Sequence, residues 1–173
     1  TPQTNVRATI HTPLNFTEGK EKSAINITGG NVYLYDWAAA VDADHTDLSV
    51  TGGKFECVSP VPEESTGFIL GKESTVTVKN MNKDDYVGFA KELLSLRNST
   101  AQLNNVNVEA AYQVLDISHN STATAEDCTF ASAMAEKPEG VKKDHATNCA
   151  TIELDNDATG MAKNSVLNLI HCT

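Results

Sequence analysis

One six-residue phrase recurs along this chain, and an internal repeat constrains a fold more strongly than any other sequence feature. The phrase reads apolar, any residue, Asn/Asp/Gly, small or apolar, any residue, apolar. Its copies begin at Ile27, Val50, Val78, Leu103, Ala125 and Ala162. Successive copies lie 22 to 28 residues apart, except for a final interval of 37. A period of this size is typical of a solenoid, in which each structural unit stacks on the next.

Two further phrases accompany most copies, and both alternate apolar, polar and apolar residues. One precedes each of the last five copies, as at residues 115–117, and the other follows every copy except the one at Val78, as at residues 108–110. Such alternation predicts a short strand with one buried face, so each repeat supplies three strands. Stacked repeats would pair with the rungs above and below. The sequence therefore predicts an all-β parallel β-helix of five to six rungs. An antiparallel sandwich is the rival fold, but it does not repeat a corner phrase.

The Asn/Asp/Gly position of the phrase is expected to form a corner of each rung. Asn and Gly tolerate the left-handed backbone conformation that a sharp bend requires. Stacked rungs would then align their corner side chains in a ladder. The predicted ladder consists of Asn80, Asn105, Asp127 and Asn164.

The run at residues 123–130, Ala-Thr-Ala-Glu-Asp-Cys-Thr-Phe, closely resembles the rung signature of the pectate-lyase-like β-helix superfamily. The Thr-Gly-Gly phrases at 28–30 and 51–53 resemble those of repetitive, adhesin-type bacterial surface proteins. The resemblance covers roughly residues 23–173 and implies a right-handed parallel β-helix. It leaves the function open, because that superfamily includes lyases, hydrolases, phage tailspikes and adhesins.

The chain divides into two parts on this interpretation. Residues 1–22 match no rung and are expected to form an N-terminal edge strand or cap, while residues 23–173 form the rungs. The last predicted strand ends close to Thr173 without a polar cap. A solenoid end of this kind exposes its core, so we expect a longer solenoid or a covering partner chain.

Three insertions interrupt the rungs, at residues 59–66, 83–92 and 135–150. All three are predicted to lie between the third strand of one rung and the first strand of the next, and therefore along one edge. Loops gathered on one side of a rigid scaffold commonly bind ligands, although insertions are also tolerated without a function. The candidate ligand-binding residues are Glu63, Glu64, Asp84, Asp85, Tyr86, Lys142 and His145.

The outward positions of the first strands form a second candidate surface, with Asp42, Ile69, Ser95, Asp116 and Glu153 in line. The resemblance implies calcium and an acidic sugar chain at such a row. Calcium requires several oxygen ligands at one point, and only Asp116 and Glu153 are adjacent acids, so this pair is the candidate metal site. No catalytic residues are assigned, and calcium is the only cofactor considered.

Four cysteines are present, without the spacing of a zinc site. Cys57 and Cys128 fall at inward positions three rungs apart, which is too far for a disulfide. Cys149 and Cys172 map to nearly the same position in neighbouring rungs. A Cys149–Cys172 disulfide is therefore predicted.

The net charge of −10, from 13 Lys and Arg against 23 Asp and Glu, disfavours nucleic acid as a partner. No apolar run approaches the ~18–20 residues of a membrane span, so membrane insertion is not expected. We expect a non-catalytic extracellular or cell-surface module, such as an adhesin, stalk or glycan-binding segment. Its partner would be a glycan, or a host or cell-surface protein. The sequence is also compatible with a homo-oligomer. The alternative is a polysaccharide lyase or hydrolase, or part of a phage tailspike.

Overall fold

Parallel strands make up nearly all of the regular structure in the described part of this chain. A computed structural model describes residues 10–11, 22–35, 39–58, 65–111, 113–132, 151–154 and 164–173. Within these ranges the chain winds into a parallel β-solenoid of about four turns, with one short 3-10 turn as its helical element. The predicted all-β, stacked-rung architecture is confirmed.

The first strands of the rungs form one six-stranded parallel sheet. Its strands, in order, are β1 (Ile10–His11), β3 (Ala39–Asp44), β5 (Thr66–Gly71), β8 (Leu94–Arg97), β10 (Leu115–Ser118) and β13 (Ile152–Leu154). We call this the first sheet.

The second strands form another parallel sheet, and several of them continue around the corner into the third position. Its main path contains β2 (Ser23–Leu34), β4 (Thr46–Cys57), β6 (Thr75–Met81), β9 (Thr100–Ala110), β11 (Thr122–Glu126) and β14 (Val166–Ile170). Two short third strands complete it, namely β7 (Tyr86–Val87) on β4 and β12 (Thr129–Ser132) on β9.

The described residues complete fewer rungs than the five to six expected for the chain. The middle four rungs join their first and second strands through described residues. In the outermost two, the connections at residues 12–21 and 155–163 lie outside the described ranges, as does most of the predicted cap at 1–22. The described solenoid therefore makes about four turns.

The strand register confirms the repeat over its first five copies. Ile27 pairs with Val50, Val50 with Val78, Val78 with Leu103, and Leu103 with Ala125. These are the residues with which each phrase begins. The repeat therefore marks one angular position around the solenoid.

The sixth copy was misplaced by the sequence argument. Ala125 pairs with Leu169 rather than with Ala162. The corner of the last rung is consequently His171, which has a φ of 51°, and Asn164 does not occupy the corner. A histidine can adopt the left-handed region, so the preference for Asn at this corner is not a requirement.

The other three members of the predicted ladder behave as predicted. Asn80, Asn105 and Asp127 all have left-handed backbone conformations, with φ of 56°, 52° and 54° respectively. The Asn105 side-chain amide donates to Oδ1 of Asn80 at 3.0 Å. In the rung that begins at Val50, the left-handed residue is Gly53, with φ of 104°, one position after the predicted corner at Gly52. Stacked corner side chains thus replace part of the hydrogen bonding that the bend interrupts.

The inward side chains of successive rungs fill one continuous core. Phe55 and Phe68 are fully buried and meet edge to face, with ring centroids 5.2 Å apart. Tyr86 is also buried and stacks on Phe89 at 4.2 Å. Gly67 lies against this ring, because a Cβ there would meet the Tyr86 ring at 2.9 Å.

The insertion at residues 83–92 is divided between two edges of the solenoid. Its 3-10 turn, Lys83–Asp85, lies between the second strand β6 and the third strand β7. Only the following segment, which leads to β8, lies between a third and a first strand. Asp84 and Asp85 therefore stand at a different corner from the one predicted, where Asp85 Oδ2 accepts a hydrogen bond from the Asn82 main-chain N–H at 2.9 Å.

Candidate binding face on the first sheet

The outward row of the first sheet is in register as the sequence predicted. Asp42 pairs with Ile69, Ile69 with Ser95, Ser95 with Asp116, and Asp116 with Glu153. Parallel pairing places these side chains on the same face at intervals of about 4.8 Å. The row becomes continuously polar from Ser95 onward, and this half of the face is the candidate site.

Asp116 is the centre of the polar half. The Ser95 hydroxyl, itself buried, donates to Oδ2 of Asp116 at 3.0 Å. Glu153, on the next strand, accepts a hydrogen bond from the Gln113 side-chain amide at 3.0 Å. Each carboxylate therefore has a fixed orientation. Ser95, on the neighbouring rung, orients Asp116, and Gln113, in the loop before β10, orients Glu153.

Glu92 joins this cluster from the loop before β8, although the sequence did not predict it as a site residue. Its side chain accepts a hydrogen bond from the Thr66 hydroxyl at 3.0 Å and is only 9% exposed. Its main-chain carbonyl accepts from the Tyr86 hydroxyl and from the Gly67 N–H, both at 2.8 Å. The buried tyrosine thus anchors the loop that presents Glu92.

The environment of Asp116 alters its protonation. The pKa of its carboxyl is raised to about 6, with burial as the largest cause and the negative charges of Glu92 and Glu153 acting in the same direction. The Ser95 hydrogen bond and the positive charge of Arg97 lower the pKa. Near pH 6 this group is therefore present in both forms, and it can donate as well as accept a hydrogen bond.

The raised pKa predicts a specific pH dependence of stability. Between the ordinary value of 3.8 and about 6, the folded protein binds more protons at Asp116 than the unfolded chain does. The contribution of Asp116 to the free energy of unfolding therefore falls as the pH rises through this window. Asp116→Asn removes the titration, so the variant should gain stability relative to the wild type between pH 4 and about 6 and hold that gain above it.

Urea unfolding at several pH values between 4 and 7 measures this difference directly. Asp84→Asn is the matched control, because it makes the same chemical change at an exposed corner of the solenoid. The difference in the free energy of unfolding between Asp84→Asn and the wild type should not change in the way predicted for Asp116→Asn between pH 4 and about 6. A difference for Asp116→Asn that is constant with pH would show that the carboxyl titrates normally.

The predicted edge of ligand-binding loops is only partly described. Glu63, Glu64, Lys142 and His145 lie outside the described residues. Asp84 and Asp85 lie at the other corner, and Tyr86 departs from the expectation of a surface contact because its side chain is 2% exposed. Of the predicted insertion at 83–92, it is Glu92, and not a predicted candidate residue, that lies beside Asp116. The polar half of the first sheet is therefore the better candidate site.

Asp116 and Glu153 are adjacent, as the calcium prediction required. The other acids near Glu153 in the sequence, Asp155 and Asp157, lie outside the described residues. Within the ranges that the structure describes, no three His, Cys, Asp or Glu side chains are placed to hold a metal ion. The calcium site stays a prediction that rests on two carboxylates alone.

Cys149 also lies outside the described residues, so its predicted disulfide with Cys172 stays a prediction. Cys172 has a free thiol and follows the corner residue His171. The prediction placed Cys172 after a third strand. Because the last rung is displaced along the sequence, it lies instead directly after the corner that follows β14.

Comparisons with known proteins add no relative. No family model, curated protein or solved structure gives a significant match to the chain. In the described part of the chain, no helix has the length and hydrophobicity of a membrane span. The fold is therefore established as a parallel β-solenoid, whereas membership of the pectate-lyase-like superfamily stays a prediction based on the rung signature.

Proposed function

We propose that this chain is an extracellular or cell-surface module that binds a neutral glycan along the polar half of the first sheet, and that it does not cleave it. The observation that supports this proposal is the oriented polar row of Ser95, Asp116 and Glu153, with Glu92 beside it. A rigid solenoid presents them without further ordering on binding.

The protonation of Asp116 favours a neutral ligand. A carboxyl with a pKa of about 6 can exchange hydrogen bonds with hydroxyl groups, which are donors and acceptors themselves. The net charge of −10 and the neighbouring Glu92 and Glu153 would repel a polymer of acidic sugars. A neutral polysaccharide lying across successive strands satisfies both conditions.

A glycoside hydrolase is the second candidate function, and the raised pKa of Asp116 is the observation that favours it. Such enzymes pair a carboxyl of raised pKa, as general acid, with an ionised carboxylate. Glu153 and Glu92 are the available partners. Both already accept hydrogen bonds, from Gln113 and Thr66 respectively, which fits an oriented binding row better than a nucleophile or base facing a water molecule.

The experiment is incubation with a panel of neutral and acidic polysaccharides, with and without calcium, at pH 5 to 8. Binding is followed by calorimetry and chain cleavage by the appearance of reducing ends. We expect binding of at least one neutral polysaccharide without cleavage, and a loss of affinity of about tenfold or more for Asp116→Ala. Asp84→Ala, at the other corner, serves as the control and should bind as the wild type does.

The outcomes separate the two functions. Cleavage that Asp116→Ala abolishes would establish the hydrolase and overturn the binding module. Binding that Asp84→Ala weakens as much as Asp116→Ala would remove the site from the first sheet. Neither binding nor cleavage over the whole panel would contradict both proposals, and dependence on calcium would support the predicted metal pair.

A further inference from the structure

Cys128 and Cys172 occupy equivalent positions in the last two rungs. Strand β11 pairs in register with β14 up to Glu126 and Ile170. The next residue in each rung, Asp127 or His171, is the left-handed corner, and the cysteine follows it. The two cysteines are 44 residues apart in the sequence. The repeat alone does not predict their alignment, because the last rung is displaced along the sequence.

Main-chain hydrogen bonds hold this register on both sides of the two cysteines. Before them, the Asp127 N–H donates to the Ile170 carbonyl at 3.0 Å. After them, the Thr173 N–H donates to the Cys128 carbonyl at 3.0 Å, and the Phe130 N–H donates to Thr173 at 2.9 Å. The backbones of the two cysteines are therefore neighbours at the separation of adjacent strands, about 4.8 Å. This separation lies within the ~4.4–6.8 Å range of Cα distances in disulfides.

The two thiols also take matching orientations. The Cys128 thiol donates to the Leu103 carbonyl at 3.6 Å, and the Cys172 thiol donates to the Ala125 carbonyl at 3.3 Å. Leu103 and Ala125 are themselves paired in register. Each thiol thus points toward the rung beneath it, which brings the Cys172 thiol toward Cys128. Burial is the largest cause that raises the pKa of the Cys128 thiol, and the adjacent Cys172 contributes to it.

We propose that Cys128 and Cys172 are an oxidisable pair, whose disulfide fastens the last described rung to the one beneath it. The oxidant is a small disulfide, such as oxidised glutathione. The half-buried Cys172 reacts first, because Cys128 is only 2% exposed. The Cys172 thiolate attacks one sulfur of the oxidant and forms a mixed disulfide, releasing one glutathione thiol.

The Cys128 thiolate then attacks the Cys172 sulfur of the mixed disulfide. This step forms the Cys128–Cys172 bond and releases the second glutathione as its thiol. Two protein thiols are oxidised, and one glutathione disulfide is reduced to two thiols. The two thiol protons are taken up by the released thiolates, so atoms and electrons balance.

The other cysteines define the competing outcomes. Cys57 pairs with Leu34 near the opposite end of the solenoid, three rungs from Cys128, and cannot reach it. Cys149 lies outside the described residues and is the partner that the sequence suggested for Cys172. A pairing of Cys172 with Cys149 is thus the direct rival of the proposed bond.

The test is oxidation of the full folded chain with oxidised glutathione, followed by alkylation, proteolysis and mass mapping without reductant. We expect a peptide that links Cys128 to Cys172 in the wild type. In Cys57→Ser/Cys149→Ser, the two remaining thiols should both disappear without bound glutathione. When Cys128→Ser is added to this double variant, Cys172 should instead retain one glutathione, because the resolving thiol is missing.

Thermal unfolding gives an independent readout. The bond closes a loop of more than 40 residues, so oxidation should raise the Tm of the Cys57→Ser/Cys149→Ser variant by about 5–10 °C, and reduction should reverse the shift. A Cys149–Cys172 peptide in the wild type would overturn the proposal. So would free Cys128 and Cys172 thiols, or glutathione retained on both Cys128 and Cys172, in the wild type or in the double variant.

Discussion

Replacing Phe68 with alanine should lower the free energy of unfolding by about 3–5 kcal/mol, the largest effect that we expect from any single substitution considered. Phe68 is fully buried and lies on β5, between β3 and β8 in the first sheet. Its ring meets that of Phe55 edge to face at 5.2 Å. The strands on both sides are fixed by their main-chain hydrogen bonds, so the solenoid cannot collapse into the cavity that the ring leaves.

Urea unfolding of the wild type and the variant, followed by circular dichroism, measures the loss. Val87→Ala is the control, because it removes apolar atoms from the third strand of the same rung at a side chain that is 39% exposed. It should change stability by no more than about 0.5 kcal/mol. A loss below about 1 kcal/mol for Phe68→Ala would show that the ring does not fill the core as described.

The rungs could be predicted because their determinants are local. An alternating apolar phrase predicts a strand, and a residue that tolerates the left-handed region predicts the corner after it. The first five copies of the phrase begin at residues that pair in the structure, from Ile27 to Ala125. The last copy failed because Asn164 matched the corner preference, whereas the backbone bends at His171. A preference for Asn makes some residues better candidates for the corner than others, but it does not exclude a histidine there.

The candidate site could be predicted only where it follows from strand register. The row from Ser95 to Glu153 was expected because in-register stacking fixes it. Glu92 was missed because it belongs to an insertion, and the path of an insertion is set by contacts rather than by the repeat. The Tyr86 hydroxyl bond to the Glu92 carbonyl is one such contact.

A ladder of hydroxyl side chains was also missed, although the sequence carries its signal. A serine or threonine stands at the same position of each rung, at the start of the second strand or directly before it. The ladder consists of Ser23, Thr46, Ser74, Ser99, Ser121 and Ser165. Single hydroxyl residues before a strand are common in turns, so each one alone suggests only a turn. Their alignment becomes significant only after the register is known.

Replacing Ser99 with alanine in this hydroxyl ladder should lower the free energy of unfolding by about 1–3 kcal/mol. The Ser99 hydroxyl accepts a hydrogen bond from the buried Ser74 N–H at 3.2 Å and donates one to the Arg97 carbonyl at 2.9 Å. The same pattern repeats one rung on, where the Ser99 N–H donates to the Ser121 hydroxyl at 3.2 Å. The hydroxyl thus takes the place of a main-chain acceptor at a turn where two rungs stack.

The cost arises because alanine leaves a buried main-chain donor without an acceptor, which is more expensive than the loss of an exposed hydrogen bond. Thr100→Val provides the comparison, since it removes a hydroxyl from the next residue, whose side chain is exposed, while keeping the branched shape that suits a strand. Equal stability losses in the two variants would mean that the ladder contributes nothing beyond strand propensity. A loss confined to Ser99→Ala would show that buried hydroxyl groups, and not apolar packing alone, hold successive rungs in register at this turn.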